Sequence, residues 1–212
     1  MGYMVNLSLK GRAALVVGAG EVARRKVLDL LAANASVTVV APRACEGMVA
    51  LVEQGRIRAH FRPYQAEDIG DAFVVVAATD DNDVNVTVSR DATARNVLVN
   101  VVDVPALCTF IVPATVRRGD LTISIATDGG CPSLSSILRE ELEGRYGPEY
   151  GKLASLFSEL RKRMMALAWE GPAIREKLAA IYRDGVIELI AAGDERRLDE
   201  FLASRFSDWS IP

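Results

Sequence analysis

The 212 residues are half hydrophobic and one quarter charged, with a formal net charge of −3, a globular balance that can build one large domain or a medium and a smaller one. So mild an acidity argues against nucleic acid or an anionic membrane as the main partner, and no apolar run approaches the ~20 residues needed to span a bilayer. Three well-separated cysteines, Cys45, Cys108 and Cys131, and a single histidine, His60, exclude a disulfide framework and predict no His/Cys metal cage.

Ala13-Ala14-Leu15-Val16-Val17 predicts an apolar strand running straight into Gly18-Ala19-Gly20-Glu21-Val22-Ala23. A helix is expected over Arg24 to Ala33, then a second strand, Val37-Thr38-Val39-Val40. This is G-x-G-x-x-A in the setting a dinucleotide site requires, strand before and helix after, within one βαβ unit. Gly18 allows the tight turn, Gly20 lets the backbone approach a pyrophosphate, and Ala23 keeps the helix close to the sheet. The N–H groups of the first helical turn then face the phosphates. A bare tight turn with no ligand is the alternative. An acidic residue normally follows the second strand and binds the ribose hydroxyls, but Ala41-Pro42-Arg43 stands there. Taken alone, Arg43 favours a 2′-phosphate, and so NADP.

A helix over Cys45 to Gln54 leads to the strand Arg56 to Phe61, whose alternation makes His60 a structural residue. Phe73-Val74-Val75-Val76-Ala77-Ala78 is a continuous apolar run, as in a parallel strand buried on both faces. It ends in Thr79-Asp80-Asp81-Asn82-Asp83, a cluster that either caps the next helix or borders the cofactor crevice. That helix runs to about Arg95, and the strand Val97 to Val102 completes a doubly wound parallel α/β sheet. Asp103 follows at the carboxyl edge, where open sheets place their ligands. Its alternative role is an Asx-turn before Pro105.

Thr109 to Val116 and Leu121 to Ala126 predict two strands, with Arg117-Arg118-Gly119-Asp120 as their turn. Too small to fold alone, this hairpin is expected to pack on a neighbour, most economically a second subunit. Thr127-Asp128-Gly129-Gly130-Cys131-Pro132 turns into a helix near Ser133, with Pro132 in its first turn. The remainder reads as helical, broken at Gly144 to Pro148, at Gly171-Pro172 and at Gly193. Leu153, Leu156, Phe157, Leu160 and Met164 form one packed face.

Several blocks, in this order, resemble one family. They are Val17-Gly18-Ala19-Gly20-Glu21-Val22-Ala23-Arg24-Arg25-Lys26, Ala77-Ala78-Thr79-Asp80-Asp81 with Val84-Asn85, Asn100-Val101-Val102-Asp103-Val104-Pro105, and Phe110-Ile111-Val112-Pro113-Ala114. Gly129, Pro132 and Leu138-Arg139-Glu140-Glu141-Leu142-Glu143 complete the set. The chain is similar to the dehydrogenase/ferrochelatase module of siroheme synthases, known in stand-alone form as precorrin-2 dehydrogenase. No counterpart of the methyltransferase domain that follows this module in the longer siroheme synthases is expected in these residues.

The resemblance implies oxidation of precorrin-2 to sirohydrochlorin with NAD as cofactor. Some members also insert iron, with Fe²⁺ as a further substrate. It implies a Rossmann-like NAD-binding domain over residues 1–113, a β-rich dimerisation segment of hairpin plus helix over 114–148, and a C-terminal helical domain over 149–212. A cytoplasmic homodimer is the expected state, in keeping with the absence of an apolar signal segment. The family's dinucleotide contacts fall on Glu21-Val22 and Pro42-Arg43, joined by Gly18, Gly20, Thr79 and Asp80, and favour NAD over NADP. Asp103 takes the place of the family's general acid/base. Thr127 and Gly129 border the substrate. Asp128 and Cys131 depart from the family's usual glycine and serine, which bears most on metal insertion. Arg117 and Arg118 are expected to meet the carboxylates of the tetrapyrrole. A regulatory domain that senses a dinucleotide without tetrapyrrole chemistry is the competing reading.

Overall fold

The computed structural model describes residues 2–206. The chain divides after Val112 into two compact units.

The first unit is a five-stranded parallel sheet in the order β3-β2-β1-β4-β5. Its strands are β1 (Ala13–Val17), β2 (Ser36–Val40), β3 (Arg58–His60), β4 (Val74–Ala77) and β5 (Leu98–Val101). Three helices cross between them, α1 (Glu21–Ala32), α2 (Glu46–Glu53) and α3 (Asn82–Ala94). Side chains of a strand alternate between faces, and β1 divides accordingly. Ala14 and Val16 enter one apolar layer with Ala23 and Val27 of α1 and Met48 and Leu51 of α2. Leu15 and Val17 enter the other, with Val88 and Ala92 of α3. Every residue of β4 is buried, as the unbroken run Val74-Val75-Val76-Ala77 requires of a strand covered on both faces. The register aligns Val17 with Ala77 and Ala77 with Val101. Strands β1, β4 and β5 therefore end together, and the sheet reverses its order between β1 and β4, where such sheets hold ligands.

The second unit begins with an antiparallel pair, β6 (Ala114–Arg118) and β7 (Leu121–Ile125). Five helices follow: α4 (Pro132–Arg145), α5 (Glu149–Ala166), α6 (Gly171–Arg183), α7 (Val186–Ala192) and α8 (Glu195–Arg205). Leu153, Leu160 and Met164 of α5 pack with Ile174 and Ile181 of α6 and Val186 and Ile190 of α7. The break at Gly193 falls where expected, the one expected at Gly144 to Pro148 begins only after Arg145, and Gly171-Pro172 opens α6 rather than interrupting a helix. A further break lies at Gly185, which takes the left-handed conformation at φ 92° before α7.

One expectation for the hairpin is corrected. Thr109 to Pro113 is not strand, and Arg117 and Arg118 lie within β6, so that Gly119-Asp120 alone makes the turn. A two-residue loop matches the twist of its strands when its first residue has positive φ, and Gly119 supplies φ 55°. The hairpin also has a neighbour within the chain: Val116 is buried, and the turn seats on α5. A Cβ on Gly151 would stand 2.8 Å from the carbonyl carbon and oxygen of Arg118, so only glycine admits this approach. Among the described residues no helix is long and apolar enough to cross a membrane.

Candidate active site

The carboxyl edge of the sheet begins at Gly18. Its φ is 109°, and a Cβ there would lie 2.3 Å from the Ala78 carbonyl oxygen. Gly18 is thus the residue that lets the β1–α1 turn pass against the end of β4. The Gly18 N–H donates to Val40 O at 2.9 Å and the Ala78 N–H to Val17 O at 2.8 Å, which ties the three strand ends together. Gly20 is different. It is the residue before α1, with extended backbone, and a Cβ on it would meet nothing within 4 Å. No side chain among the described residues caps the helix there, which leaves its first-turn N–H groups for a ligand such as a pyrophosphate. Ala23, wholly buried, lets α1 lie close on the sheet.

Glu21 and Val22 are exposed at this helix start. The Arg24 guanidinium, 2.8 Å away, and then the Cys45 thiol hold the Glu21 carboxyl below its usual range. The loop after β2 is drawn to the same place by a bond from the Cys45 N–H to Ala19 O at 2.9 Å. It leaves Pro42 and Arg43 exposed.

The polar cluster after β4 divides its tasks. Asp81 caps α3, accepting from the N–H groups of Asp83 and Val84 at 3.0 and 3.2 Å. Thr79 is held by Asn85: its hydroxyl donates to Oδ1 at 2.9 Å, and Asn85 Nδ2 donates to Thr79 O at 3.0 Å. Asp80 is exposed, with no side-chain hydrogen bond or ion pair among the described residues. The sequence offered Asn85 as part of a family block without a task; a buried amide on the inner face of α3 is the signal that identifies one.

Asp103 follows β5, two strand spacings, about 10 Å, from β1. It is exposed, its carboxylate has no hydrogen-bond or ion-pair partner among the described residues, and its φ is 61°. The Val104 N–H donates to Val101 O at 3.3 Å. Asp103 therefore occupies the third position of a β-turn, where positive φ ordinarily requires glycine or asparagine. Aspartate is one of the few non-glycine residues that tolerate this conformation.

In the second unit, Gly130 N–H donates to Thr127 O at 2.8 Å, with Asp128 at φ 49° and Gly129 at φ 79° between them. Two successive left-handed residues make a type I′ turn, for which Asp-Gly is a favoured pair. Thr127 Oγ1 accepts from Cys131 N–H at 3.1 Å and lies 3.3 Å from the hydroxyl of Ser135. Ser135, buried in α4, is a partner the sequence did not disclose. Arg117 is exposed and has no side-chain partner among the described residues. Arg118 is engaged by the chain itself: Nε donates to Tyr146 O at 2.8 Å and Nη2 to Glu143 O at 3.1 Å. It closes the C-terminus of α4, whose last carbonyls lack helical partners. Arg139 is likewise paired, with Glu143 at 2.7 Å. Among the described residues no group of three or more His, Cys, Asp or Glu side chains could hold a metal ion.

The family described as "Putative NAD(P)-binding" matches residues 5–114. The chain is 39% identical over 189 residues to a siroheme synthase of Methylobacillus flagellatus, covering 89% of this chain and 40% of that protein. It is 42% identical over 200 residues to a siroheme synthase of Pseudomonas aeruginosa, covering 92% of this chain and 43% of the relative. The chain thus spans less than half the length of these relatives. Among solved structures it is similar to SirC, a precorrin-2 dehydrogenase, with a TM-score of 0.79 and 29% identity, covering 97% of this chain and all of that one.

Proposed function

We propose, on the premise that the chain belongs to the NAD(P)-binding family of precorrin-2 dehydrogenases and siroheme synthases, that it oxidises precorrin-2 to sirohydrochlorin with NAD. The observation that carries this reading is Asp103, an exposed and unpartnered carboxylate held at positive φ on the same sheet edge as the glycine turn.

The oxidation removes one hydride and one proton from the reduced tetrapyrrole. When bound, the dinucleotide supplies the hydride acceptor. The chain's residues do the rest. The turn Gly18 to Ala23 and the N-terminus of α1 hold the pyrophosphate, with Glu21 and Val22 beside it. Pro42 and Arg43 border the adenosine ribose, Thr79 and Asp80 the nicotinamide ribose. Asp103 takes the proton, as a carboxylate with no competing partner can. Thr127, Gly129 and the free guanidinium of Arg117 contribute contacts to the substrate and its carboxylates.

NAD rather than NADP, a homodimer, a cytoplasmic setting and the division of the second unit into a dimerisation segment, 114–148, and a helical domain, 149–212, belong to the same proposal. The two-stranded sheet with its unpaired edges and the exposed Leu134 and Ile137 of α4 support the dimer. The free thiols support the reducing compartment. Iron insertion into sirohydrochlorin is the further activity to assay, with Fe²⁺ as substrate.

Titration of the protein with NAD, NADP and a porphyrinoid, followed by fluorescence and absorbance, tests this reading. Tighter binding of NAD than of NADP and a shifted porphyrinoid spectrum are expected. Dinucleotide binding with no response to the porphyrinoid would favour a dinucleotide sensor instead.

A further inference from the structure

The chain leaving β5 does not depart from the sheet. It makes the Asp103 turn, passes through a short 3-10 turn, Pro105–Leu107, and comes back along the outer edge of β5. Thr109 clasps Val99 on that edge: its Oγ1 accepts from the Val99 N–H at 2.8 Å, and its own N–H donates to Val99 O at 2.8 Å. Ser89 of α3 donates from Oγ to Leu107 O at 2.7 Å. These bonds anchor the returning segment but none reaches the Asp103 turn.

Cys108 does. Its Sγ accepts from the Val101 N–H at 3.1 Å and from Asn100 Nδ2 at 3.6 Å. Its proton lies within reach of Val101 O at 3.3 Å and Val104 O at 3.4 Å. Val101 and Val104 are the first and last residues of the turn that holds Asp103. Asn100, buried in β5, steadies the sulfur from behind while also donating to Phe110 O at 3.1 Å. One thiol therefore satisfies an outward N–H of the edge strand and braces both ends of the turn. The Asp103 carboxylate has no partner among the described residues, so the place of the carboxylate is set by this turn.

We propose that Cys108 is a positioning residue for the oxidation, its thiol fixing the Asp103 turn and hence the point at which the carboxylate meets the substrate's proton. The inference rests on Asp103 being the base. The test compares Cys108→Val, which keeps an apolar group without donor or acceptor, with Cys108→Ser, which keeps both, alongside Asp103→Ala and the double variant Asp103→Ala/Cys108→Val.

The valine variant folds through the Thr109 and Ser89 bonds and binds NAD as the wild type does. Its kcat falls about tenfold or more with little change in KM, as expected for a misplaced reacting group. Serine restores most of the loss, and in the Asp103→Ala background the valine lowers the residual rate no further. If valine prevents folding, Cys108→Ala removes the thiol and is held to the same pattern. Wild-type kcat in the valine variant overturns the proposal. A parallel loss of NAD affinity, or no rescue by serine, overturns it as well by pointing to general damage. An inactive Asp103→Ala beside an unimpaired Cys108→Val removes this proposal alone, whereas normal turnover in Asp103→Ala removes the base assignment and this proposal with it.

Discussion

Replacing Asp103 by glycine should separate stability from activity. The aspartate sits at φ 61°, a conformation that costs an L-residue roughly 1–2 kcal/mol and glycine almost nothing. Its side chain is exposed and unpartnered, so its removal breaks no contact. Against this relief stands the greater freedom of glycine in the unfolded chain, about 0.4–1 kcal/mol. The sum places Asp103→Gly between neutral and about 1.6 kcal/mol more stable than the wild type. Alanine relieves nothing, and Asp103→Ala should lie roughly 1 kcal/mol below the glycine variant. That corresponds to about 2–4 °C in Tm for a chain of this size. Turnover should fall at least ~100-fold in both, the scale of a lost general base. Urea unfolding and anaerobic turnover on the same samples make the comparison. A glycine variant less stable than wild type by more than about 1 kcal/mol would refute the strain argument, and one that turns over normally would remove Asp103 from the mechanism.

The two glycines of the cofactor turn should fail in different ways. Gly18→Ala drives a Cβ to 2.3 Å from a backbone oxygen and should destabilise the first unit by about 3 kcal/mol or more, read by denaturant unfolding. Gly20→Asp has open space, so it should fold normally yet lose NAD affinity in a fluorescence titration. Gly151→Ala presses on the Arg118 carbonyl at 2.8 Å and should cost about 1–3 kcal/mol in the stability of the second unit. Asp68 is bound bidentately by Arg62 at 2.5 and 2.8 Å, which, with the Gln65 N–H, holds its carboxyl below the usual range. A depressed folded-state pKa stabilises above the unfolded value and ceases to do so as pH falls through the folded one. Asp68→Asn should therefore be about 1 kcal/mol less stable at pH 7, with the gap closing as the pH drops below the ordinary aspartate value near ~4.

The strands and the glycine turn were legible because their causes are local. The run from Val74 to Ala77 can only be a strand covered on both faces, and Gly18-Ala19-Gly20 stands between a strand and a helix. The β-hairpin turn was placed too early because Arg117 and Arg118 look polar enough for a loop. The strand keeps them, since only Gly119 takes the positive φ the turn requires. What escaped the sequence depends on residues distant along the chain. Asn85 is six residues beyond the Thr79 it holds, Ser135 lies eight beyond Thr127, and Arg118 reaches a carbonyl at Tyr146. Cys108 has no task that the sequence discloses until its sulfur is seen against Val101 and Val104. The position of Asp103 was legible; its left-handed backbone was not, because aspartate does not announce positive φ as glycine does.

The most direct test is anaerobic turnover of precorrin-2 with NAD in the presence of a metal chelator, following NADH and sirohydrochlorin absorbance together. One NADH formed per sirohydrochlorin by the wild type, and neither by Asp103→Asn that still binds NAD, is the predicted result. Folded wild-type protein that binds the dinucleotide yet converts no precorrin-2 with NAD or NADP would contradict the assignment.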